Sequence, residues 1–370
     1  MARKSRGPRI NKLFDLMPKV EASDLHLKAG LPPMFRVDGQ LRRAKTNPLS
    51  SDGPEMDAEQ MEDLIRDWLG KEGFQELQEE GSKDVGHEWD GGRVRVAIFL
   101  QRGRISLVAR LINESIPSVE ELHLPGAVEK VVDVGEGLCL VCGVTGSGKS
   151  TTLACLLEKM NNKHARHILT FEDPIEYIYE DKRSVINQRE YGLDFHRWPD
   201  AIRTGVRSDP DVMLIGEMRD EETFQLGLTA AETGHLVFGT MHTSGSQETV
   251  GRILDLFPPE RHKLIRQMLA FNLKAIICQR LVPSFQEDIG RVPAVEMMWN
   301  NPSIRKAIEE GEDQKIGDLI KSGEEEGMQT WTSSLVGLVN ADLVEKDVAL
   351  EYAPNKDALK MALKGISFSG

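Results

Sequence analysis

Four cysteines in 370 residues are too few for a fold built on disulfides. Cys139 and Cys142 form a C-x-x-C, but Cys155 and Cys278 stand alone, so no second pair completes a four-sulfur zinc site. The pair lies in an apolar run, where the fitting reading is two small buried hydrophobes in a reducing cytoplasm. Long hydrophobic runs are missing too. No window approaches about 20 uncharged apolar residues, so no membrane-spanning helix is expected. Residues 3–9 are basic, yet Asn11, Lys12, Asp15 and Lys19 interrupt the apolar residues after them, and a secretory leader with about 7–15 apolar residues is not expected. Positive charge is also short, with 46 Lys and Arg against 59 Asp and Glu, a net −13. That balance, with no basic stretch carrying aromatics, argues against a nucleic-acid partner.

Against these absences stands one stretch. Leu138, Cys139, Leu140, Val141 and Cys142 form an apolar run that ends in Gly143, Val144, Thr145, Gly146, Ser147, Gly148, Lys149, Ser150 and Thr151. A helix-forming segment comes next over 153–160, giving the strand, loop and helix order that G-x-x-x-x-G-K-[ST] requires of a phosphate-binding loop. Glycines let successive N–H groups curl round an anion, and the new helix adds its positive end. Thr145 and Ser147 complete the loop. Lys149 would reach the β- and γ-phosphates, Ser150 would ligate Mg²⁺ and Thr151 would touch the α-phosphate of ATP. The competing reading is a glycine-rich turn before a chance Lys-Ser, which the flanking strand and helix disfavour.

With 40% apolar residues the chain can fill more than one core, and its length suits two domains at about 150 residues each. Residues 1–20 carry Ile10, Leu13, Phe14, Met17 and Val20 at roughly helical spacing. Residues 22–28 alternate as a strand, and 34–37 with 40–42 read as a hairpin around Asp38 and Gly39. Residues 47–54 read as a loop, 57–69 and 71–79 as helices, and 92–99 and 105–110 as further strands. The pattern implies an N-terminal α+β domain over 1–113, a linker over 114–125 and a second domain over 126–370. In the second, apolar strands at 138–142, 167–171, 212–215 and 236–240 alternate with helices, which implies a largely parallel sheet with helices on both faces. Ligands of such sheets sit at the carboxyl ends of the strands.

That rule ranks the polar residues. Glu172 and Asp173 leave one strand, where a carboxylate can orient or deprotonate the water attacking the γ-phosphate; two solvated acids in a turn are the plain alternative. Glu217 leaves another, after a glycine where an Mg²⁺-binding Asp is usual, and would hold Mg²⁺ through its waters. Arg219 and Asp220 could be a mere surface pair. His235 enters a strand and His242 leaves it, and His242 is the better γ-phosphate sensor by position. Arg93, Arg95, Arg102, Arg104, Arg110, Arg203 and Arg207 are candidates for completing a neighbour's site, or are solvated strand residues.

Together these residues resemble the secretion-ATPase superfamily, and most closely its type IV pilus retraction ATPases of the PilT and PilU type. The resemblance runs from Ala22 to Thr330 through four motifs: the phosphate loop 143–150, an "Asp box" at 169–177, an atypical Walker B at 209–220 and a "His box" at 229–244. It implies a RecA-like P-loop ATPase domain with a helical C-terminal tail, behind an N-terminal PAS-like domain. Glu172 is implied as catalytic base, Glu217 as the Walker B carboxylate and His235 and His242 as the His-box pair. Arginines of the 95–110 region, here Arg95, Arg102 and Arg110, are implied to reach ATP. A homo-hexamer is implied, cytoplasmic and peripheral to the inner membrane, turning a PilC-like platform protein, in some systems beside a paralogous pilus ATPase. The chain departs from the retraction pattern over 303–310, where one arginine is lost, and Phe99, Leu100, Gln101 and Arg102 look more like the PilU type. The acidic loop 50–55 has no assigned counterpart. An accessory PilU-type motor and a pilus assembly or type II secretion ATPase are the alternatives; the latter usually carries a zinc module that this sequence lacks.

Overall fold

The computed structural model describes residues 8–37, 39–50, 53–112 and 115–365. The chain forms two compact units, Met1–Ser115 and Ile116–Gly370. Among the described residues, the first holds one antiparallel sheet in the order Gln40–Arg43, Met34–Val37, Asp24–Lys28, Arg104–Ile112, Gly92–Gln101 and Ser82–Trp89. Strand side chains alternate between faces. Leu25, Leu27, Val94, Val96, Ile98, Leu107 and Ala109 therefore share one face, buried with Met61, Leu64, Ile65, Phe74 and Leu77 of the helix Ala58–Glu80. That helix opens on a capping box, in which Gln60 N–H donates to Asp57 at 2.8 Å and Asp57 N–H to Gln60 at 3.0 Å. Its backbone leaves helical angles at Gly70, with φ 71 and ψ −176, so two rods meet there, as the helices expected over 57–69 and 71–79 require.

The helix expected over 1–20 is a correction. Only Asn11–Phe14 is α-helical, followed by a 3₁₀ turn at Pro18–Val20, while residues 1–7 lie outside the described residues. Pro18 has no N–H to continue the ladder. The apolar stripe still reaches the core at Ile10, Leu13, Phe14 and Met17. Asp38 of the hairpin turn, Ser51 and Asp52 of the acidic loop, and Asn113 and Glu114 at the start of the expected linker also lie outside the described residues.

The second unit's sheet runs Arg291–Trp299, Leu273–Pro283, Gly137–Cys142, Leu236–Met241, Val212–Ile215, His167–Glu172 and Val185–Glu190. Its pairs are parallel except that between Leu273–Pro283 and Arg291–Trp299. Gly137–Cys142 and Leu236–Met241 are buried along their whole length, the signature of strands covered on both faces. Leu138, Leu140 and Cys142 join one core with Phe224 and Leu228 of the helix Glu221–Glu232. Cys139 and Val141 point into another with Leu153, Leu156 and Leu157 of the helix Lys149–Lys163. All four cysteines are buried and unpaired, and burial pushes the Cys139 and Cys155 thiols up to about 12. Among the described residues, no helix is long and apolar enough to cross a membrane.

Candidate nucleotide site

The strand Gly137–Cys142 delivers the chain into a loop that a Cβ would destroy at two points. At Gly143, φ 152, an added Cβ would meet Ser147 Oγ at 2.4 Å and Gln279 O at 2.5 Å. At Gly148, φ 86, it would meet Gln279 Nε2 at 2.7 Å. Gly148 caps the helix Lys149–Lys163, so the free N–H groups of its first turn open onto the loop. Val144, Thr145 and Gly146 are exposed at the tip, Ser147 is buried beneath them, and Ser150 is exposed on the helix. Lys149 Nζ donates to the carbonyls of Gly143 at 2.7 Å and Val144 at 3.3 Å, which draws the ammonium across the loop. Burial pulls its pKa down, while Glu217, Cys142 and Glu176 act in the other direction.

Adjacent strands end on this side. Glu217 follows Val212–Ile215, forms ion pairs with Arg219 and, at 3.2 Å, with His242 Nε2, and thereby links the ends of two neighbouring strands. Burial works against its charge, but Arg219 and His242 outweigh it and hold the carboxyl below its ordinary range. An ionised carboxylate and the Ser150 hydroxyl are hard oxygen donors, a set that suits Mg²⁺.

Glu172 behaves differently. Thr170 Oγ1 donates to its Oε1 at 2.6 Å, Gln188 Nε2 donates to the same oxygen at 3.1 Å, and the Glu176 amide donates as well. Burial pushes its pKa up to about 7. A carboxylate tied to three donors on its own strand, the neighbouring strand and the following turn is an anchor for that turn. Gln188 extends the anchor by donating to Tyr177 O at 2.8 Å, and Tyr177 OH donates to Thr151 Oγ1 at 3.0 Å. Glu176, exposed on that turn, adds its charge to those of Glu217 and Cys142 in raising the Lys149 pKa.

The remaining candidates lie elsewhere. His235 precedes Leu236–Met241 at its amino end, about 23 Å of strand from His242 at about 3.3 Å per residue. Its Nδ1 lies 2.9 Å from Ala230 O, so within one chain it stays outside the cluster around Lys149. In the first unit, Arg110 donates to Asp24 at 2.8 Å, with Arg36 on the same carboxylate at 3.6 Å. Arg95 is register partner to Arg110 and reaches Asp84 at 4.0 Å, and Arg102 turns the hairpin with φ 52. Beside Thr151 and Gly148 opens a cleft of about 510 Å³, lined also by Leu122, Leu281, Ile289 and Pro293.

A family model described as type II/IV secretion system protein matches residues 108–330. The type IV pilus retraction ATPase PilT of Pseudomonas aeruginosa is 43% identical over 93% of this chain and 98% of its own length. The type IV pilus ATPase PilU of the same organism is 34% identical over 96% and 91%. A crystal structure of the pilus retraction motor PilT with bound ADP superposes with a TM-score of 0.86 at 38% identity, covering 95% of this chain and 98% of that one. With that likeness, the expected α/β class with a RecA-like ATPase fold stands.

Proposed function

The chain belongs to the type II/IV secretion system protein family, and on that premise we propose that it is an ATP-hydrolysing motor of type IV pilus retraction. The observation that carries this reading is the meeting of Lys149, Glu217 and His242 beside the phosphate loop, at the carboxyl edge of one parallel sheet. The loop amides and Lys149 hold the triphosphate, and the cleft beside Thr151 takes the base and ribose. Bound Mg²⁺ would supply charge neutralisation at the β- and γ-oxygens, held by Ser150 directly and by Glu217 through water. Glu176 orients the attacking water and takes its proton; Glu172 holds the turn that presents Glu176. His242, paired with Glu217, reports the state of the γ-phosphate.

Residues 1–113 form a PAS-like unit, 114–125 a linker and 126–370 the ATPase domain with its helical tail. Six copies form the working ring, and Arg95, Arg102 and Arg110 complete sites on nucleotide. The ring works in the cytoplasm against a PilC-like platform protein of the inner membrane, and a paralogous pilus ATPase is a further partner. Deleting the gene and viewing the cell surface tests the direction of work. Excess unretracted pili are expected; bald cells would assign the motor to assembly instead. An accessory PilU-type role is the second reading, favoured by the run Phe99, Leu100, Gln101 and Arg102. It predicts that deletion weakens retraction without ending it.

A further inference from the structure

Gln279 is 2% exposed in the strand Leu273–Pro283, one residue beyond Cys278, the register partner of Cys142. Both ends of its amide are engaged. Nε2 donates to Ser147 O at 2.8 Å, and Thr152 Oγ1, itself 1% exposed, donates to Oε1 at 2.7 Å. Its backbone carbonyl and its Nε2 are the atoms that close in on Gly143 and Gly148. One residue on the neighbouring strand therefore meets the loop at its first glycine, its last glycine and the helix turn beyond. The Ser147 hydroxyl is buried without a hydrogen-bond partner and its N–H donates to Val144 O at 3.1 Å within the loop, so the carbonyl is where the neighbouring strand holds this residue.

We propose that Gln279 is a positioning residue for the phosphate loop, setting the orientation of the Ser147–Gly148 peptide. In a planar trans peptide the C=O and the N–H point in opposite directions. With Ser147 O drawn toward Gln279, the Gly148 N–H faces away from that strand, toward the concave side of the loop. Released, the same peptide can turn its carbonyl to the anion, which replaces an attraction by a repulsion. Gln279 touches neither the reacting atoms nor the nucleotide phosphates; it acts through the backbone it holds. The Ser147 carbonyl can only accept, so it meets the NH₂ of the amide, and the Thr152 hydroxyl satisfies the oxygen at the other end and holds the side chain in place.

The inference rests on the nucleotide-binding reading above, and titration of the full-length protein separates the two. ADP and adenosine are measured by competition against a fluorescent ADP analogue. In Gln279→Met, which keeps the length and drops both hydrogen bonds, ADP affinity is expected to fall about tenfold. Adenosine, which has no phosphate, is expected to stay within about twofold, because only phosphate binding uses the loop amides. Thr152→Val leaves the bond to Ser147 O in place and should weaken ADP by a smaller factor, about threefold. That variant carries the test alone if Gln279→Met does not fold. Equal losses for ADP and adenosine, or no loss of ADP in either variant, would overturn the positioning role while leaving nucleotide binding intact. A wild-type protein that binds no ADP would remove both proposals.

Discussion

Glu172 and Glu217 lie at the ends of strands that run side by side in register, His167–Glu172 and Val212–Ile215, and they emerge at the same edge of the sheet. One carboxyl is pushed up to about 7 by burial; the other is held below its ordinary range by Arg219 and His242. Strand-end position is therefore not what makes a carboxylate fit for chemistry at this edge. The difference lies in its partners: amide, hydroxyl and side-chain amide donors that fasten a turn in one case, cations shared with the neighbouring strand end in the other. Glu217 is poised to remain charged beside a cation and phosphates. Glu172 is poised to hold a turn together.

The largest effect should come from neither. Lys149→Ala removes the ammonium drawn across the loop, and ATP turnover measured by phosphate release should fall at least about a hundredfold. The comparison is sharpened by two conservative changes made in parallel. Glu176→Gln should lower turnover about a hundredfold, as expected for a lost general base, whereas Glu172→Gln should stay within about tenfold. The reverse order would return the base to Glu172 and make the contrast with Glu217 one of degree.

Stability against pH gives a smaller and independent readout. A glutamate whose folded pKa is raised contributes stability that is fully present below its unfolded pKa, near the ordinary value of 4.5. That stability is lost as pH rises through the folded value of about 7. Glu172→Gln removes this loss, so the variant should gain on the wild type in denaturant midpoint between pH 4.5 and 7 and run parallel above it. A constant offset at every pH would show that the carboxyl is not perturbed. The smallest effect belongs to His235. It lies at the far edge of the sheet, so in His235→Ala single-chain nucleotide affinity should change by less than about twofold. A tenfold loss would mean that both ends of Leu236–Met241 serve one site.

The phosphate loop was legible in the sequence because its chemistry is contiguous: glycines, lysine and serine at fixed offsets, behind a strand and before a helix. Four of the parallel strands were legible because both faces are buried, so Val212–Ile215 and its neighbours read as unbroken apolar runs, whereas Leu273–Pro283, also buried but following directly on the helix His262–Asn272, was not read as a strand. Two polar edge strands were not legible. Ser82–Trp89 and Val185–Glu190 each end a sheet, carry polar residues on exposed positions and show no apolar run to find. Gln279 was invisible for another reason, since 132 residues separate it from the carbonyl it holds. Which glutamate of the Asp box meets Thr170 and Gln188 is likewise not in the spacing, because Gln188 comes from the neighbouring strand.

The buried cysteines have a practical corollary. Only a thiolate attacks a maleimide at a useful rate, and all four native sulfurs are sealed inside the second unit, two of them with acidities far outside the working range of such reagents. A single cysteine engineered onto the surface of each unit should accept a dye while the native four stay silent. Distances between the two halves during turnover could then be followed by fluorescence transfer in the otherwise unaltered protein.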